Sequence, residues 1–192
     1  MRALEVVPFK EGSSLDALEK SGHANNTIII FTSYHGYHLG EHDFWAKVSL
    51  YHESARVPLI VSVPGKKPGV SDSLVELLDL YPSLPGSADS KSPRACKART
   101  SAPFLMIRRP RCITPFSASP ERAKGLMLRD DRWVFIQYGE DAKGGIELFD
   151  MQNDPRQFNN LAKSLDHISR VEEWKTKITE KLAAVRTHDL GK

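Results

Sequence analysis

The chain has 192 residues, of which 40% are hydrophobic and 27% charged, and its formal net charge is +3 at pH 7. These values are typical of a globular protein with one domain, or one and a half, that can bury a core of ordinary size. They exclude a membrane-spanning chain, because the longest apolar stretches, such as Ile28–Phe31, are far too short to cross a bilayer.

The first predicted elements are a helix and a strand. Residues 1–14 show no periodicity and are predicted to be an irregular terminus. Leu15–Lys20 has leucines three residues apart among good helix formers, and Ser21-Gly22 supplies a helix end. Asn26–Thr32 is a continuous β-branched run, which favours a strand buried on both faces of a parallel sheet.

A polar cluster, FTSYHGYHLGEHDFWAK, follows at residues 31–47. Two glycines, Gly36 and Gly40, oppose a helix here, because each costs about 1 kcal/mol in a helix interior. A loop at the carboxyl end of a strand is where open α/β sheets bind ligands. Lys47 is therefore a candidate cation for an anionic group.

The three histidines of this cluster allow several interpretations. His35, His38 and His42 are suited to a hard-ion or oxyanion site, and a zinc site is a further alternative. The plainer interpretation makes His38 and His42 loop hydrogen-bonding groups and leaves Glu41 as a solvated acid. The residue types alone leave these alternatives open.

Two more elements complete a predicted α/β segment. Val57–Val63 is apolar and ends at Pro64-Gly65, which indicates a second strand. Ser71 or Ser73 is expected to cap a helix that runs to Leu80 and places its leucines on one face.

Residues 85–119 differ in composition from both flanks. They contain seven of the 27 basic residues and one of the 24 acidic ones, together with five prolines and both cysteines, Cys96 and Cys112. The remainder thus has 20 bases and 23 acids. Neither cysteine has a partner at zinc-ligand spacing, and two cysteines make no disulfide framework. We expect a basic, disordered segment.

Regular patterns return after residue 120. Gly125–Arg129, the acidic pair Asp130-Asp131, and Arg132–Tyr138 predict a hairpin, and Ile146–Asp150 predicts a third strand. A helix is expected from Ser164 to about Arg186. Its apolar residues recur at intervals of three and four and should pack on the sheet; they are Leu165, Ile168, Val171, Trp174, Ile178, Leu182 and Val185.

These motifs together resemble the sulfatase family of the alkaline-phosphatase superfamily, and especially its iduronate-2-sulfatase-like branch. The family pattern T-S-D-H-G, G-E-H, W-x-K, R-V-P-L-I and P-G is similar to residues 32–36, 40–42, 45–47, 56–60 and 64–65. The later pattern R-x-x-R-W-x-x-I, E-L-Y-D-L, N-D-P and N-L-A is similar to residues 129–136, 147–151, 153–155 and 160–162.

The resemblance implies a fold class: α/β, a fragment of a sulfatase sheet (residues 15–84) followed by a small α+β carboxyl-terminal subdomain (residues 120–192). It also implies hydrolysis of sulfate esters with a formylglycine nucleophile and a calcium ion. By the same resemblance His35 is a calcium ligand, Lys47 contacts the substrate sulfate, and Tyr37 lines the pocket.

The chain departs from the family pattern at several points. Tyr34 stands where the family has a calcium-binding aspartate, and a neutral phenol is a poor substitute for a carboxylate. Neither Cys96 nor Cys112 lies in the nucleophile motif C-x-P/A-x-R. The other two calcium aspartates belong to a strand upstream of the present sequence. Residues 85–119 match nothing in the family, which is explained either by paired frame changes in the coding DNA or by a genuine disordered insertion.

The function expected from the sequence is therefore that of a sulfatase acting on sulfated glycans such as iduronate 2-sulfate, here truncated and inactive alone. The alternative is a non-catalytic anion- or glycan-binding protein. Expected partners are a sulfated carbohydrate and a separate upstream sulfatase half. We expect no nucleic acid, because the basic segment contains no known module, and no membrane. Nothing near Met1 resembles a signal peptide, so the sequence leaves the location open.

Overall fold

The computed structural model describes residues 11–80, 83–84, 114–116 and 125–186. Residues 1–10 and most of the basic segment 85–119, with both cysteines, lie outside the described residues. The chain divides into two compact units. The first contains the described residues up to Thr32 together with Pro58–Val70, and the second contains Ser33–Val57 and the described residues from Ser71 onward.

The first unit begins with helix α1, Glu11–Lys20. Its predicted end is confirmed: Gly22 has φ +74, and its N–H donates to the carbonyl of Glu19 at 3.2 Å. The expected irregular terminus is wrong for residues 11–14, which belong to this helix. Because residues 12–17 are all exposed, the first turns carry no apolar periodicity by which the sequence could reveal them.

Strands β1, Ile29–Thr32, and β2, Leu59–Ser62, form an antiparallel pair in this unit, with Ile29 opposite Ser62 and Thr32 opposite Leu59. The predicted strands are confirmed, but the expected parallel, doubly buried sheet is wrong for the described residues. Phe31 and Ile60 face each other across the pair and are 48% and 61% exposed. A β-branched run favours an extended backbone and does not determine the direction of its neighbour.

The second unit is built on a four-stranded antiparallel sheet in the order β3-β4-β5-β6. Its strands are Thr114–Phe116, Gly125–Arg129, Trp133–Tyr138 and Ile146–Asp150. The predicted hairpin is confirmed, and Asp130 shapes its turn by accepting hydrogen bonds from the N–H groups of Arg132 and Trp133. Strand β3 lies within the segment expected to be disordered. Backbone pairing on a sheet edge needs no side-chain periodicity and tolerates a proline.

Helix α3, Ile168–Arg186, covers one face of this sheet; a single 3-10 turn, Leu165–His167, precedes it. (The short helix α2, His52–Ala55, lies in the 33–57 loop.) Trp174 and Ile178 are buried against Phe135 and Leu148, which confirms the predicted packing. The stripe begins later than expected, because Leu165 and Ile168 are 83% and 50% exposed.

The 33–57 loop contributes to the opposite face of the sheet. Leu50 is buried there with four strand residues, Met127, Val134, Ile136 and Phe149. Gly125 makes room for it, since a Cβ at this glycine would lie 2.6 Å from Cδ1 of Leu50. Both faces are therefore covered, which explains why the strands read as continuous apolar runs.

The helix expected from Ser71 or Ser73 to Leu80 is wrong over most of its length. Residues 71–76 are not helical, and the described chain then forms a 3-10 turn at Leu77–Asp79, followed by Leu80 in α-helical conformation. Leu78 is 63% exposed. Glu76 and Asp79 close this turn as a capping box, so local side-chain bonds take the place of an apolar face. In the described ranges, no helix combines the length and the apolar character needed to cross a membrane.

Candidate functional site

The polar cluster forms a loop that folds back on itself within the second unit. The N–H of Gly36 donates to the carbonyl of Ser54 at 2.8 Å, and the N–H of His38 donates to that of Ala46 at 2.9 Å. Gly36 is required for this approach, because a Cβ there would overlap the carbonyl oxygen of Glu53. The two bonds bring the beginning of the loop against its end, and thus bring Tyr34 close to Lys47.

His38 is the buried centre of this loop, with no exposed surface. Its Nε2 lies 2.7 Å from the hydroxyl of Ser49, and its Nδ1 lies 3.3 Å from the carbonyl of Glu41. The ring also meets Phe44 edge-on at 5.2 Å. Both ring nitrogens have a partner within the loop, which supports the plainer interpretation of His38 as a structural hydrogen-bonding group.

His42 packs on aromatic rings. Its ring stacks on Tyr51, with centroids 4.4 Å apart and planes inclined by 8°, and lies 4.8 Å from the ring of Phe158. Its Nε2 is 3.6 Å from a carboxylate oxygen of Glu53. His42 and Asp43 have φ values of 57 and 53, an uncommon conformation for residues other than glycine.

Glu41 contributes to the same turn through its carboxylate. The N–H of Leu39 donates to Oε2 of Glu41 at 2.6 Å, and this bond lowers the pKa of the Glu41 carboxyl. The charge of Glu41 is therefore used to hold the turn together, which the expectation of a solvated acid did not include.

Glu147, an acid of the 147–151 motif that had no assigned role, connects the loop to the sheet. The hydroxyl of Tyr51 donates to Oε1 of Glu147 at 2.8 Å, and that of Tyr138 lies 3.4 Å from Oε2. Burial raises the pKa of Glu147, while the two hydroxyls oppose that shift. Burial, and then the charge of Glu147, also raises the pKa of both tyrosines. In the sequence, Glu147 appeared only as the first residue of the family pattern E-L-Y-D-L and as an acid in an apolar strand, and neither signal indicated its partners.

A second connection is made by the N–H of His52, which donates to Oε1 of the buried Gln157 at 2.6 Å. Nδ1 of His52 lies 3.1 Å from a guanidinium nitrogen of Arg129. Burial, followed by the charges of Arg129 and Arg56, lowers the pKa of His52. The loop is thus attached near its carboxyl end, where Tyr51 and His52 contact Glu147 and Arg129 of the sheet and Gln157 beyond it.

The residues that the resemblance singled out lie at the open side of this loop. Tyr34 is 77% exposed, and its ring meets the ring of His35 edge-on at 4.0 Å. Nζ of Lys47 is 5.9 Å from the centroid of the Tyr34 ring. Tyr37 is 51% exposed, with its hydroxyl 3.5 Å from the carbonyl of Trp45. The loop therefore brings Tyr34, His35 and Lys47 together and places Tyr37 beside Trp45.

The residues at the metal position do not suit calcium. Nε2 of His35 is buried without a hydrogen-bond partner, but it is a nitrogen, and Nδ1 of the same ring lies 2.7 Å from the carbonyl of Gly36. The adjacent position of the family motif holds the phenol of Tyr34 in place of a carboxylate. Calcium requires several oxygen ligands, carboxylates above all. Within the described ranges, no three His, Cys, Asp or Glu residues form a group that could hold a metal, so the three loop histidines form no zinc site either.

Comparisons with known proteins converge on one group of enzymes. The family model of N-sulphoglucosamine sulphohydrolase, C-terminal, matches residues 40–188. Arylsulfatase K of Mus musculus is 32% identical over 170 residues, which cover 82% of this chain and 31% of that protein. Choline-sulfatase of Rhizobium meliloti (strain 1021) is 29% identical over 168 residues, which cover 81% of this chain and 31% of that protein.

The solved structures give the same result for the fold. The structure of a 2-O GAG sulfatase is 26% identical and has a TM-score of 0.80, covering 92% of this chain and 40% of that one. This similarity confirms the predicted fold class. The chain spans about a third of the length of the curated relatives that it matches.

Proposed function

The chain belongs to the sulfatase family, whose carboxyl-terminal model it matches over residues 40–188, and we propose that it forms the carboxyl-terminal part of a sulfuric ester hydrolase. In this proposal residues 15–84 belong to the catalytic domain and residues 120–192 form the carboxyl-terminal subdomain. The proposed substrate is a sulfated carbohydrate, with iduronate 2-sulfate as one example. The similarity to a 2-O GAG sulfatase supports this choice, whereas the similarity to choline-sulfatase favours a broader class of sulfate esters.

The observation that carries the proposal is the position of Lys47. The side chain is exposed, and in the part of the chain that the structure describes no carboxylate forms an ion pair with it. Bonds on either side fix the backbone around it, since Ala46 accepts from His38 and the carbonyl of Lys47 accepts from the N–H of Ser49 at 3.1 Å. An ammonium group held in this way can bind a sulfate oxygen. Lys47 is the proposed sulfate contact, with Tyr37 lining the same region.

We expect the chain alone to be inactive, because neither Cys96 nor Cys112 lies in the nucleophile motif C-x-P/A-x-R. In this proposal the nucleophile is supplied by an upstream sulfatase half that is not among these 192 residues. Calcium, which the family uses as a Lewis acid, would be held weakly, because Tyr34 occupies the aspartate position. Tyr34→Asp should therefore raise the affinity for calcium; equal calcium binding by the variant and the parent chain would contradict this explanation.

The first test measures hydrolysis and binding separately. The chain is assayed with p-nitrophenyl sulfate, and its binding to a sulfated disaccharide is measured by calorimetry at low and high salt. We expect no hydrolysis, and binding that weakens with salt and is lost in Lys47→Ala. Lys66→Ala, at another exposed lysine, is the matched control. Hydrolysis would disprove the proposed inactivity, and unchanged binding by Lys47→Ala would disprove the sulfate contact.

A second candidate function is that of a non-catalytic protein that binds sulfated glycans. The exposed rings of the loop that carries Lys47 favour it: Tyr34 is 77%, Trp45 70% and Tyr37 51% exposed, which is unusual for aromatic side chains. The discriminating experiment adds the upstream half of a sulfatase of this family. Restored hydrolysis supports the enzyme; glycan binding without hydrolysis supports the binding protein.

A further inference from the structure

Tyr34 is placed as a binding residue would be. Its ring is 77% exposed and contributes nothing to either buried cluster of the sheet. The ring of His35 approaches the Tyr34 ring edge-on, with centroids 4.0 Å apart and ring planes inclined by 69°. Much of the ring surface is therefore open to solvent, at a position where a structural aromatic would be buried.

Lys47 lies next to this open ring. Its Nζ is 5.9 Å from the ring centroid, at the outer limit of a cation–π contact. This contact places the ammonium beside the ring and leaves its positive charge intact. A neighbouring carboxylate, by contrast, would neutralise that charge. The ring and the cation are 13 positions apart in sequence, and the backbone bond between His38 and Ala46 brings them together.

We propose that Tyr34 and Lys47 form a metal-independent binding element for a sulfated sugar. The ammonium of Lys47 binds the sulfate group, and the ring of Tyr34 packs against the apolar C–H face of the sugar. This inference rests on the proposed sulfate contact of Lys47 and goes beyond it, because it gives the residue at the metal position a binding role of its own.

Lys47 and Tyr34 together favour a ligand that has both a sulfate group and an apolar sugar face. A free sulfate ion uses Lys47 alone, and an uncharged sugar uses the Tyr34 ring alone, so each should bind more weakly than a sulfated sugar. The phenol hydroxyl has no part in this contact. A ring without the hydroxyl should therefore bind equally well, whereas an aliphatic side chain should not.

The test uses the full chain and a 2-O-sulfated heparin disaccharide, with EDTA present to remove metal ions. Its desulfated counterpart and inorganic sulfate are measured in parallel. We expect the sulfated disaccharide to bind most tightly, Tyr34→Phe to bind within about twofold of the parent chain, and Tyr34→Leu to lose about threefold to tenfold. Because Tyr34 is exposed, both variants should fold, which circular dichroism checks.

The outcomes separate this inference from the proposed function. If Lys47→Ala loses binding while Tyr34→Leu does not, the inference is overturned and the sulfate contact stands. If neither substitution changes the affinity, both fail. Binding that disappears with EDTA, or that is no tighter for the sulfated disaccharide than for free sulfate, overturns the inference as well.

Discussion

The hydrogen bond between Tyr51 and Glu147 should carry much of the attachment of the 33–57 loop to the sheet. The hydroxyl lies 2.8 Å from Oε1, within the range of a good O–H···O bond. Tyr51→Phe removes the hydroxyl and keeps the ring that stacks on His42 at 4.4 Å. The substitution thus measures the bond and leaves the packing of the ring in place.

The expected magnitude follows from the acceptor. Glu147 is partly buried, and removing one of its donors leaves a carboxylate with less solvation, so Tyr51→Phe should lower the free energy of unfolding by about 1.5–3 kcal/mol. Tyr138→Phe is the matched control on the same carboxylate. Its hydroxyl lies 3.4 Å from Oε2, beyond the usual hydrogen-bond length, and its removal should cost less than about 1 kcal/mol.

Urea denaturation followed by tryptophan fluorescence gives these free energies, and a double-mutant cycle with Glu147→Leu isolates the pair. We expect a coupling energy of about 1.5 kcal/mol between positions 51 and 147. Additive effects, or an equal loss in Tyr138→Phe, would refute the assignment of the attachment to this bond.

The pH dependence gives an independent check. Burial raises the pKa of Glu147 above its unfolded value of 4.5, so the folded chain binds this proton more tightly than the unfolded chain. The contribution is fully present below pH 4.5 and is lost as the pH rises through the folded pKa. Glu147→Gln should remove this slope, and Tyr51→Phe, which deletes an opposing hydrogen bond, should steepen it. A slope that persists in Glu147→Gln would have another origin.

Three further predictions concern the loop, the turn after β6 and the core. Gly36→Ala should destabilise the chain by several kcal/mol and separate the beginning of the 33–57 loop from its end, because the new Cβ overlaps the Glu53 carbonyl. Thermal melts and the protease sensitivity of the loop test this, with Gly12→Ala as control, because a Cβ at Gly12 meets no other atom. Asp150→Asn should lower the free energy of unfolding by about 1–2 kcal/mol at pH 7, because Arg132 holds the pKa of Asp150 at about 2. This loss of stability should shrink between pH 4 and pH 2, and a loss that stays constant with pH in urea melts would contradict the prediction. Trp174→Ala, at a side chain with 1% exposure, should cost about 3–5 kcal/mol, and a loss below 1 kcal/mol in the same melts would show that α3 does not anchor the sheet.

The carboxyl-terminal elements could be predicted from the sequence because their signals are local. A hairpin with an acidic turn, a third apolar strand and a helix with apolar residues at intervals of three and four each need no distant partner to be recognised. The motif from Gly40 to Lys47 likewise indicated the family, and with it the candidate sulfate contact.

Other features were decided only by the tertiary structure. They depend on contacts between residues that are far apart in sequence, or on local hydrogen bonds that compete with one another. The antiparallel pairing of β1 with β2 follows from the neighbour that the strand meets, and a β-branched run is compatible with either direction. Tyr51 and Glu147 are 96 positions apart, so their bond leaves no spacing to detect. Tyr34 showed in the sequence only as a missing aspartate; its place beside Lys47 results from the fold of the loop, because hydrogen bonds between its two ends set which side chains meet.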